Sequence, residues 1–579
     1  MISTMFSKKQ KNDSKIEKSN IKTPGKSAKG VDISTVTKAR SWVGGLPLTD
    51  MGETTRQLFI TIKDINQTSI PPEKRIDIAE VLLPYVNMAF ENLDRHFLSR
   101  SFPLPERSQK IFELKKSLLL ETGGSYQLAA LEMLAKASVS KKKLLLAIGR
   151  ANTYMTQVLM NSYEIYAKTE KSVWHDIHHL YLIACENDIE KMVVPSKTDV
   201  TVDQFSIEEQ YKLINLVALA APNTLRQGEV SKIHDFYKQC IDQVAIISDL
   251  SVVKSKYAHI ALMNSDEPAT LMPISDLVNS PTSRIFDLSK IISTIDHFVS
   301  LSEKTELGKH KKFPMLTHSL AKRMAYVLTT IRNRRFKRFP REEKASLAIR
   351  MVDVIEIIRE NDFDSFQAQL SEDLEDDNIY EALAAEEAVS SPWSDVDVES
   401  LAEDRDVKLT TWQIENSSTG GYGLCQSKLE PSPARVGELV AVKDPKDVTA
   451  SWQISVVRWM DSFKAIGLRA GLEILSLQAM VVRVDEINNR EISQKLPIEG
   501  MLLPKIEGSR DEENLIFPGY IFKEDDALTL TIGSQQQKVL LTHIDDTVGN
   551  FSYCGFDRRD VEEMEEGSLE SFDEVWEFL

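Results

Sequence analysis

The sequence predicts an α+β multidomain protein: an all-helical N-terminal domain, then an antiparallel β-barrel, then a second small β unit. Three observations support this fold class. The 579 residues are more than a single domain usually holds. Apolar residues recur at three- and four-residue steps over roughly the first half of the chain, which is typical of helices with one buried face. In the second half, short alternating runs are divided by Gly, Pro and Asp, which is typical of antiparallel strands.

The composition changes at several points along the chain, and these points give the predicted boundaries. The predicted segments are a disordered basic tail over 1–40, the helical domain over 41–331, the β-barrel over 332–480 with an acidic insertion over 362–406, a second small β domain over 481–556, and an acidic C-terminal tail over 557–579. The basic tail holds too few large apolar groups to offset the entropy of ordering it. The insertion is rich in Asp and Glu, so we expect a solvated loop there.

The helical domain is predicted from stripes of apolar residues separated by polar ones. One stripe follows Pro71 and Pro72, which suit the first turn of a helix. Its members are Ile78, Val81, Leu82, Tyr85, Ala89, Leu93 and Phe97. A later stripe, also predicted to be helical, consists of Ile233, Phe236, Tyr237, Cys240, Val244 and Ile247. Each helix should therefore bury one face and expose the other.

The β-barrel is predicted from short runs that are apolar or alternating and rich in strand-forming residues. These runs are Lys344 to Ile358, Thr410 to Leu424, Gly437 to Lys443, Trp452 to Trp459 and Gly467 to Leu475. A second set of strand signals follows, with clear alternation over Ala527 to Ile532. The first set predicts a small barrel or sandwich, and the second set predicts the additional β unit.

The overall charge excludes one class of partner and favours one location. The formal net charge of -17 and the pI near 5.3 argue against binding of duplex nucleic acid, which requires clustered Lys and Arg. No run approaches the ~20 apolar residues of a transmembrane helix, and no export signal is recognised at the N-terminus. We therefore expect a cytoplasmic protein without a transmembrane segment, in which any anion site is local.

The motifs of the common enzyme and metal-site classes are not found. The sequence contains no Walker loop, nucleophile elbow, H-E-x-x-H or paired-cysteine motif. His175, His178 and His179 are clustered, but the Glu of a zinc-binding helix and a third ligand are not identified, so structural histidines are favoured over a metal site. We expect no enzyme activity, no catalytic residue, no metal ion and no cofactor.

A basic cluster from Arg332 to Arg338 lies where the helical domain meets the barrel. Guanidinium groups remain charged, bond bidentately to phosphate or to the O6/N7 edge of guanine, and stack on purine faces. A polar turn lies further along, in the sequence Ile414 to Leu424. Its Asn and Ser could read a base edge and its glycines permit close approach of the backbone, although alone such a turn needs only hairpin chemistry to explain it.

Together the two elements resemble the PilZ family, whose motif is R-x-x-x-R followed by D/N-x-S-x-x-G on the barrel. Arg334 and Arg338 match the first part, and Asn416, Ser418 and Gly421 match the second. The resemblance covers roughly residues 330–480. It implies that the barrel binds cyclic di-GMP, with the arginines on phosphates and guanine faces and with Asn416 and Ser418 hydrogen-bonded to a guanine.

The chain departs from the family pattern in two ways. The acidic insertion lengthens the interval between the two motifs, which costs only about 0.6 kcal/mol of closure entropy for each doubling of a flexible loop. Asn416 replaces the commoner Asp, which stays within the pattern. Neither departure removes a ligand-binding residue that the resemblance implies.

The resulting functional expectation is a cyclic di-GMP receptor. Ligand binding at the hinge before the barrel would reorient the helical domain for signalling to an unidentified protein partner. The alternative is a ligand-independent, PilZ-like scaffold or adaptor that binds protein partners through the helices and the second β unit.

Overall fold

The computed structural model confirms the predicted fold class: a helical N-terminal region is followed by two small antiparallel barrels. The structure describes residues 33–98, 100–136, 139–195, 205–249, 253, 255–277, 282–300, 313–331, 336–360, 407–426, 432–446, 451–463, 467–486, 498–505, 512–519, 521–532, 535–546 and 551–558. The predicted acidic insertion and, apart from Asp557 and Arg558, the predicted C-terminal tail lie outside these residues.

The helical region is built around one large apolar core. Its helices are α1 (Val36–Val43), α2 (Met51–Gln67), α3 (Pro72–Asp94), α4 (Glu106–Leu134), α5 (Lys141–Glu164), α6 (Val173–Glu186), α7 (Ile207–Leu219), α8 (Glu229–Gln239), α9 (Ser289–Ser300) and α10 (His318–Thr329). The N-termini of these helices are set by local sequence signals. Pro72 occupies the first turn of α3, and Ser206 and Glu209 form a capping box on α7. Within the described residues, no helix is both long enough and apolar enough to cross a membrane.

The first helix begins inside the segment predicted to be a disordered tail, so that prediction is wrong for its last residues. Thr35 accepts a hydrogen bond from the backbone N–H of Lys38 and thereby caps α1. Ala39 and Val43 are buried in the core of the helical region. The apolar contacts of α1 offset the entropy lost on ordering it. The Lys-rich composition of the tail as a whole gave no sign of these contacts.

A four-stranded antiparallel sheet interrupts the helices, in a part of the chain that the sequence assigned to helix. Its strands are β1 (Ala245–Ile247), β2 (Tyr257–Leu262), β3 (Thr270–Pro273) and β4 (Ser283–Asp287), in the order β1-β4-β2-β3. The stripe ending in Val244 and Ile247 is helical only as far as Gln239; a 3-10 turn and then β1 follow. Steps of three and four residues also fit a turn that leads into a strand, so the spacing did not fix the end of the helix.

The first barrel is a closed ring of six antiparallel strands. Its elements are β5 (Phe339–Pro340), β6 (Lys344–Ile349), β7 (Thr410–Ser418), β8 (Gly421–Gln426), β9 (Leu439–Lys443), β10 (Gln453–Phe463) and β11 (Gly467–Ser476). The ring runs β6-β9-β10-β11-β8-β7, and β7 closes it by pairing with β6; the short β5 pairs with β7 ahead of β6.

The predicted strand over Lys344 to Ile358 ends early and is followed by a helix. The strand stops at Ile349, Arg350 adopts a positive φ of 94°, and residues 351–360 are helical. Val354 and Ile358 of this helix are buried between the outer face of the first barrel and the second barrel. The β-branched composition favoured a strand, but the packing between the two barrels decides the conformation.

The second barrel is also closed and lies at the end of the described chain. Its strands are β12 (Met480–Glu486), β13 (Ile498–Leu503), β14 (Asn514–Pro518), β15 (Ala527–Ile532), β16 (Gln535–Asp546) and β17 (Phe551–Asp557), in the order β12-β13-β14-β17-β16-β15. Its interior forms a core of its own that includes Val482, Leu515, Phe517 and Leu541.

The helical region is fixed to the first barrel by a shared core. Phe102 and Tyr166 belong to the same buried cluster as the inward-facing side chains of the barrel. Backbone hydrogen bonds reinforce this contact: the N–H of Ser432 donates to the carbonyl of Phe102 (2.8 Å), and the N–H of Ser462 donates to that of Tyr166 (2.7 Å). The helical region and the barrel are therefore packed together, and not merely linked by the chain.

Candidate functional site

The pairing of β5 with β7 brings the two parts of the sequence motif to one place. Phe339 lies opposite Ser417 and Pro340 lies opposite Asn416. Extending this register by one residue puts Arg338 next to Ser418. Paired residues on antiparallel strands have Cα atoms about 4.5–5.5 Å apart. Residues far apart in the sequence are therefore neighbours on the barrel surface.

A β-bulge in β7 puts both polar residues of the motif on the outer face of the barrel. Ile414 faces the core opposite Leu424, but Asn416 pairs with Gly423, so one extra residue, Glu415, is accommodated between them. Because side chains alternate along a strand, this extra residue turns Asn416 and Ser418 outward. Without the bulge both would face the apolar core.

The arginine segment contributes one described arginine and an aromatic ring to the same surface. Arg338 is exposed and makes no ion pair with any residue that the structure describes. The ring of Phe336 lies on the turn between β7 and β8, since a Cβ atom at Gly420 would be 2.8 Å from its Cε2 atom. Arg334 lies outside the described residues, so the structure brings together four of the five predicted site residues.

Gly421 has a structural reason to be glycine. A Cβ atom there would lie 2.0 Å from the carbonyl oxygen of Leu472 on the neighbouring strand β11. The Ser418 hydroxyl donates a hydrogen bond to the carbonyl of Gly421 (3.3 Å), which closes the turn. These contacts hold the turn close to the barrel.

A row of residues across four strands extends the surface beyond the predicted motif. Asn416 pairs with Gly423, Gly423 with Gly471, and Gly471 with Trp459. The two glycines leave room for the flanking side chains: a Cβ atom at Gly423 would be 2.8 Å from the amide of Asn416, and one at Gly471 would be 1.9 Å from the indole nitrogen of Trp459. An amide and an indole ring thus lie side by side on the outer face.

Two other arginines on this face, Arg469 and Arg458, already form ion pairs, whereas Arg338 forms none with the described residues. Arg469 of β11 donates to the carboxylate of Glu415 from Nε (2.8 Å) and lies over the ring of Phe463. Arg458 forms an ion pair with Glu473. A planar anionic ligand could pair with Arg338 without breaking an existing ion pair of that residue within the described chain.

Behind this surface, Arg341 turns into the barrel. Its two terminal nitrogens donate to the two carboxylate oxygens of Asp444 at 2.6 and 2.8 Å. The Tyr422 hydroxyl donates to the same carboxylate (3.1 Å) and lies 2.9 Å from Oε1 of Gln453. The side chains of Arg341 and Asp444 are only 11% and 7% exposed, so this charge pair is largely shielded from water.

The pKa values of these groups follow from their contacts. Burial pushes the pKa of Asp444 upward, but hydrogen bonds from Arg341 and from the backbone N–H of Lys446 outweigh it and leave that pKa below its usual range. Burial, with Asp444 beside it, raises the pKa of Tyr422. Hydrogen bonds from Lys446 and Arg341 lower the pKa of Glu343 to about 2. All of these groups keep one charge state at neutral pH.

His178, one member of the histidine cluster of α6, has a structural role. His178 is fully buried, with one ring nitrogen 2.8 Å from the Tyr211 hydroxyl and the other 2.9 Å from the carbonyl of Glu267. Burial lowers the pKa of His178. Among the described residues, no group of three or more His, Cys, Asp or Glu could hold a metal ion.

Sequence reasoning missed Gly423, Gly471, Trp459 and the side-chain role of Arg341. One signal was readable: Gly421 and Gly423 are two apart, so they lie on the same face of a strand. Trp459 and Gly471 lie in runs that had been recognised as strands, but their contact depends on the register between β10 and β11. Arg341 could not be separated by sequence from the other arginines of its segment.

Comparison with known proteins gives matches along most of the chain. Three family models match: "Cyclic-di-GMP receptor FimW, N-terminal domain" over residues 37–249, "Cyclic-di-GMP receptor FimW, middle PilZ domain" over 355–480, and "FimW C-terminal beta-barrel domain" over 485–558. The PilZ domain recognised in the sequence is thereby confirmed. The match to the PilZ domain includes Asn416, Ser418 and Gly421, whereas Arg334 and Arg338 precede it.

A curated relative aligns with nearly the whole chain. The cyclic-di-GMP receptor FimW of Pseudomonas aeruginosa is 22% identical over 590 aligned positions, which cover 93% of this chain and 95% of the relative. No solved structure matches the chain significantly. The PilZ-containing family is one of receptors and not of enzymes, which agrees with the expectation from the sequence.

The charge of Asp444 predicts how the stability of the barrel depends on pH. The folded pKa is lowered, so the stabilisation is complete above the unfolded value of about 3.9 and is lost as the pH falls through the folded value. We expect the difference in thermal midpoint between the parent and Asp444→Asn to be constant from about pH 8 to pH 5 and to shrink below about pH 4. Differential scanning calorimetry of both proteins across this pH range measures the difference in thermal midpoint.

Asp485→Asn is the matched control for this experiment. Asp485 forms an exposed ion pair with Arg483 on the second barrel, which should contribute little at any pH. A difference for Asp444→Asn that persisted undiminished at pH 2 would contradict the assignment of the stabilisation to the charged carboxylate.

Proposed function

We propose that this chain is a cyclic di-GMP receptor whose ligand site is formed by Arg334, Arg338, Asn416, Ser418 and Gly421. The β5–β7 pairing is the observation that supports this proposal most directly, because Phe339 and Pro340, which follow Arg338, pair with Ser417 and Asn416. The curated relative is described as a receptor for the same ligand. A cytoplasmic location belongs to the proposal, since an intracellular second messenger must reach the site.

The chemistry of the surface suits a purine dinucleotide with two phosphates. Arg338, which makes no ion pair with the residues that the structure describes, supplies a guanidinium for phosphate or for the O6/N7 edge of guanine. The Asn416 amide and the Ser418 hydroxyl supply a donor and acceptors for a base edge. The partly exposed rings of Phe336 and Trp459 offer faces on which a base can stack, and they extend the site beyond the residues named by the motif.

Removal of either arginine should weaken binding strongly. A charge-assisted hydrogen bond contributes roughly 1.5–3 kcal/mol, so Arg334→Ala or Arg338→Ala should reduce the affinity for cyclic di-GMP at least about tenfold. Ser418→Ala should cost less, about 1 kcal/mol, because a neutral bond is lost. Isothermal titration calorimetry of the full chain measures these affinities.

The control is Arg483→Ala, which removes an exposed arginine from the second barrel. Its affinity should equal that of the parent. Parent-like affinity in both site-arginine variants would rule out this site. A folded parent protein that does not bind cyclic di-GMP would instead favour the alternative function, a ligand-independent scaffold.

Asn416 and Gly423 should act as one unit. In Gly423→Ala the new methyl group displaces the Asn416 amide, so we expect a several-fold loss of affinity, on the order of 1 kcal/mol. In an Asn416→Ala background the same change should add little, because no amide remains to be displaced. Equal losses in both backgrounds would show that Gly423 acts through the backbone and not through Asn416.

We further propose that ligand capture constrains the arginine segment, residues 332–338, and thereby reorients the helical domain toward a protein partner. Such a movement has to loosen the core shared by Phe102, Tyr166 and the barrel. This requirement makes the reorientation testable at the contact itself, where Ala167 and Ser462 form an isolated β-bridge.

A disulfide between these two positions should hold the contact closed. Bridge partners lie within the Cα separation that a disulfide accepts, so Ala167→Cys with Ser462→Cys is a feasible pair. If binding is coupled to movement here, the oxidised protein should bind cyclic di-GMP roughly fivefold or more weakly than the same protein reduced. The parent under oxidising and reducing conditions is the control. Equal affinities would refute reorientation at this contact while leaving the receptor function intact.

A further inference from the structure

The network of Arg341, Asp444 and Tyr422 connects the two halves of the candidate site from inside the barrel. Arg341 is the residue directly after β5, and Tyr422 is the residue directly after Gly421 on β8. Both bond to Asp444, which follows the end of β9. One carboxylate is thus shared by the segment that carries Arg338 and by the strand that begins at the motif glycine.

Within the part of the chain that the structure describes, the segment that carries Arg338 has few other attachments. Residues 336–340 are all exposed, and β5 is only two residues long. Arg341 immediately follows β5, and its side chain is largely buried. Its backbone N–H also donates to the carbonyl of Glu415 in the bulge (3.0 Å). Because side chains alternate along a strand, fixing Arg341 on the inner side fixes Arg338 on the outer side.

A buried ion pair is a poor way to gain stability alone. The cost of removing both charges from water offsets most of their attraction, and apolar side chains of similar size often serve equally well. The best-attested use of such pairs is to fix register, because the bidentate geometry tolerates little displacement. Fixing register is a suitable role for an ion pair next to the arginine segment, because the Arg338 guanidinium has to be held at one position on an open surface.

We propose that Arg341, Asp444 and Tyr422 are positioning residues that hold the arginine segment and the β7–β8 turn in the register that cyclic di-GMP binding requires. None of the three belongs to the ligand-binding set. The proposal rests on the receptor function proposed above, but its effect on the arginine segment is measurable without ligand.

The helical region supplies a matched control with the same chemistry. Arg150 donates from Nε to Glu80 (3.0 Å), and the Tyr126 hydroxyl donates to the same carboxylate (2.9 Å). The side chains of Arg150 and Glu80 are 14% and 10% exposed, close to the values for Arg341 and Asp444. Variants of this second network lose equivalent interactions outside the barrel.

The test compares Arg341→Lys and Tyr422→Phe with Arg150→Lys and Tyr126→Phe. Arg341→Lys keeps the charge and loses the paired bonds, so we expect about a tenfold loss of affinity for cyclic di-GMP; Tyr422→Phe should lose about threefold. Amide hydrogen exchange of the ligand-free protein should accelerate across residues 336–343 in both. The control variants should keep the parent affinity and the parent exchange in this segment.

Each outcome is decisive for the proposal. If Arg341→Lys does not fold, Tyr422→Phe still tests it, since only one hydroxyl is removed. Unchanged exchange across residues 336–343 in folded variants overturns the positioning role. A parent protein that does not bind cyclic di-GMP refutes the receptor function. In that case, faster exchange in the two barrel variants, but not in the two control variants, would still show that the network positions the segment. Parent-like affinity in both barrel variants of a binding-competent protein overturns the proposal.

Discussion

The bulge at Glu415 in β7 is the constraint on which the candidate site depends. β7 contributes Trp412 and Ile414 to the barrel core and, after the bulge, presents Asn416 and Ser418 to solvent. The strand pairs with β8 on one side and with β6 and β5 on the other, so it cannot slip by one residue without exchanging its buried and exposed side chains. The register that closes the barrel is therefore the register that assembles the site.

The same barrel is enclosed by packing on other sides. The helical region joins its interior cluster through Phe102 and Tyr166, and the helix over residues 351–360 joins its outer face to the second barrel. These contacts leave the face formed by β7, β8, β10 and β11 as the place where polar residues, glycines and partly exposed rings coincide. The site lies where the barrel is not used for domain packing.

The sequence predicted the parts of this arrangement that depend on residue identity. Of the residues that the R-x-x-x-R and N-x-S-x-x-G patterns named, Arg338, Asn416, Ser418 and Gly421 lie at or next to the β5–β7 and β7–β8 pairings. The helical and β regions were correctly ordered along the chain. It could not predict features decided by packing. The four-stranded sheet and the helix over residues 351–360 formed against local spacing and β-propensity, because tertiary contacts outweigh both. The contact of Trp459 with Gly471 depends on strand register, which no single strand encodes.

A route from the candidate site to the helical region also begins at the bulge. Glu415 pairs with Arg469 on β11, and Arg469 lies over Phe463 at the end of β10. The next residue back along β10, Ser462, donates its N–H to the carbonyl of Tyr166, whose ring is buried in the shared core. Glu415 and Asn416 are adjacent in β7, so a change in the backbone at one of them alters the position of the other. The distance between the candidate site and the domain contact is thus spanned by two side-chain contacts and one backbone hydrogen bond. Spatial proximity alone does not establish coupling, which requires an element with two alternative arrangements. The bulge is a suitable element, since Glu415 has no register partner on β8 and can change conformation at little cost to that strand.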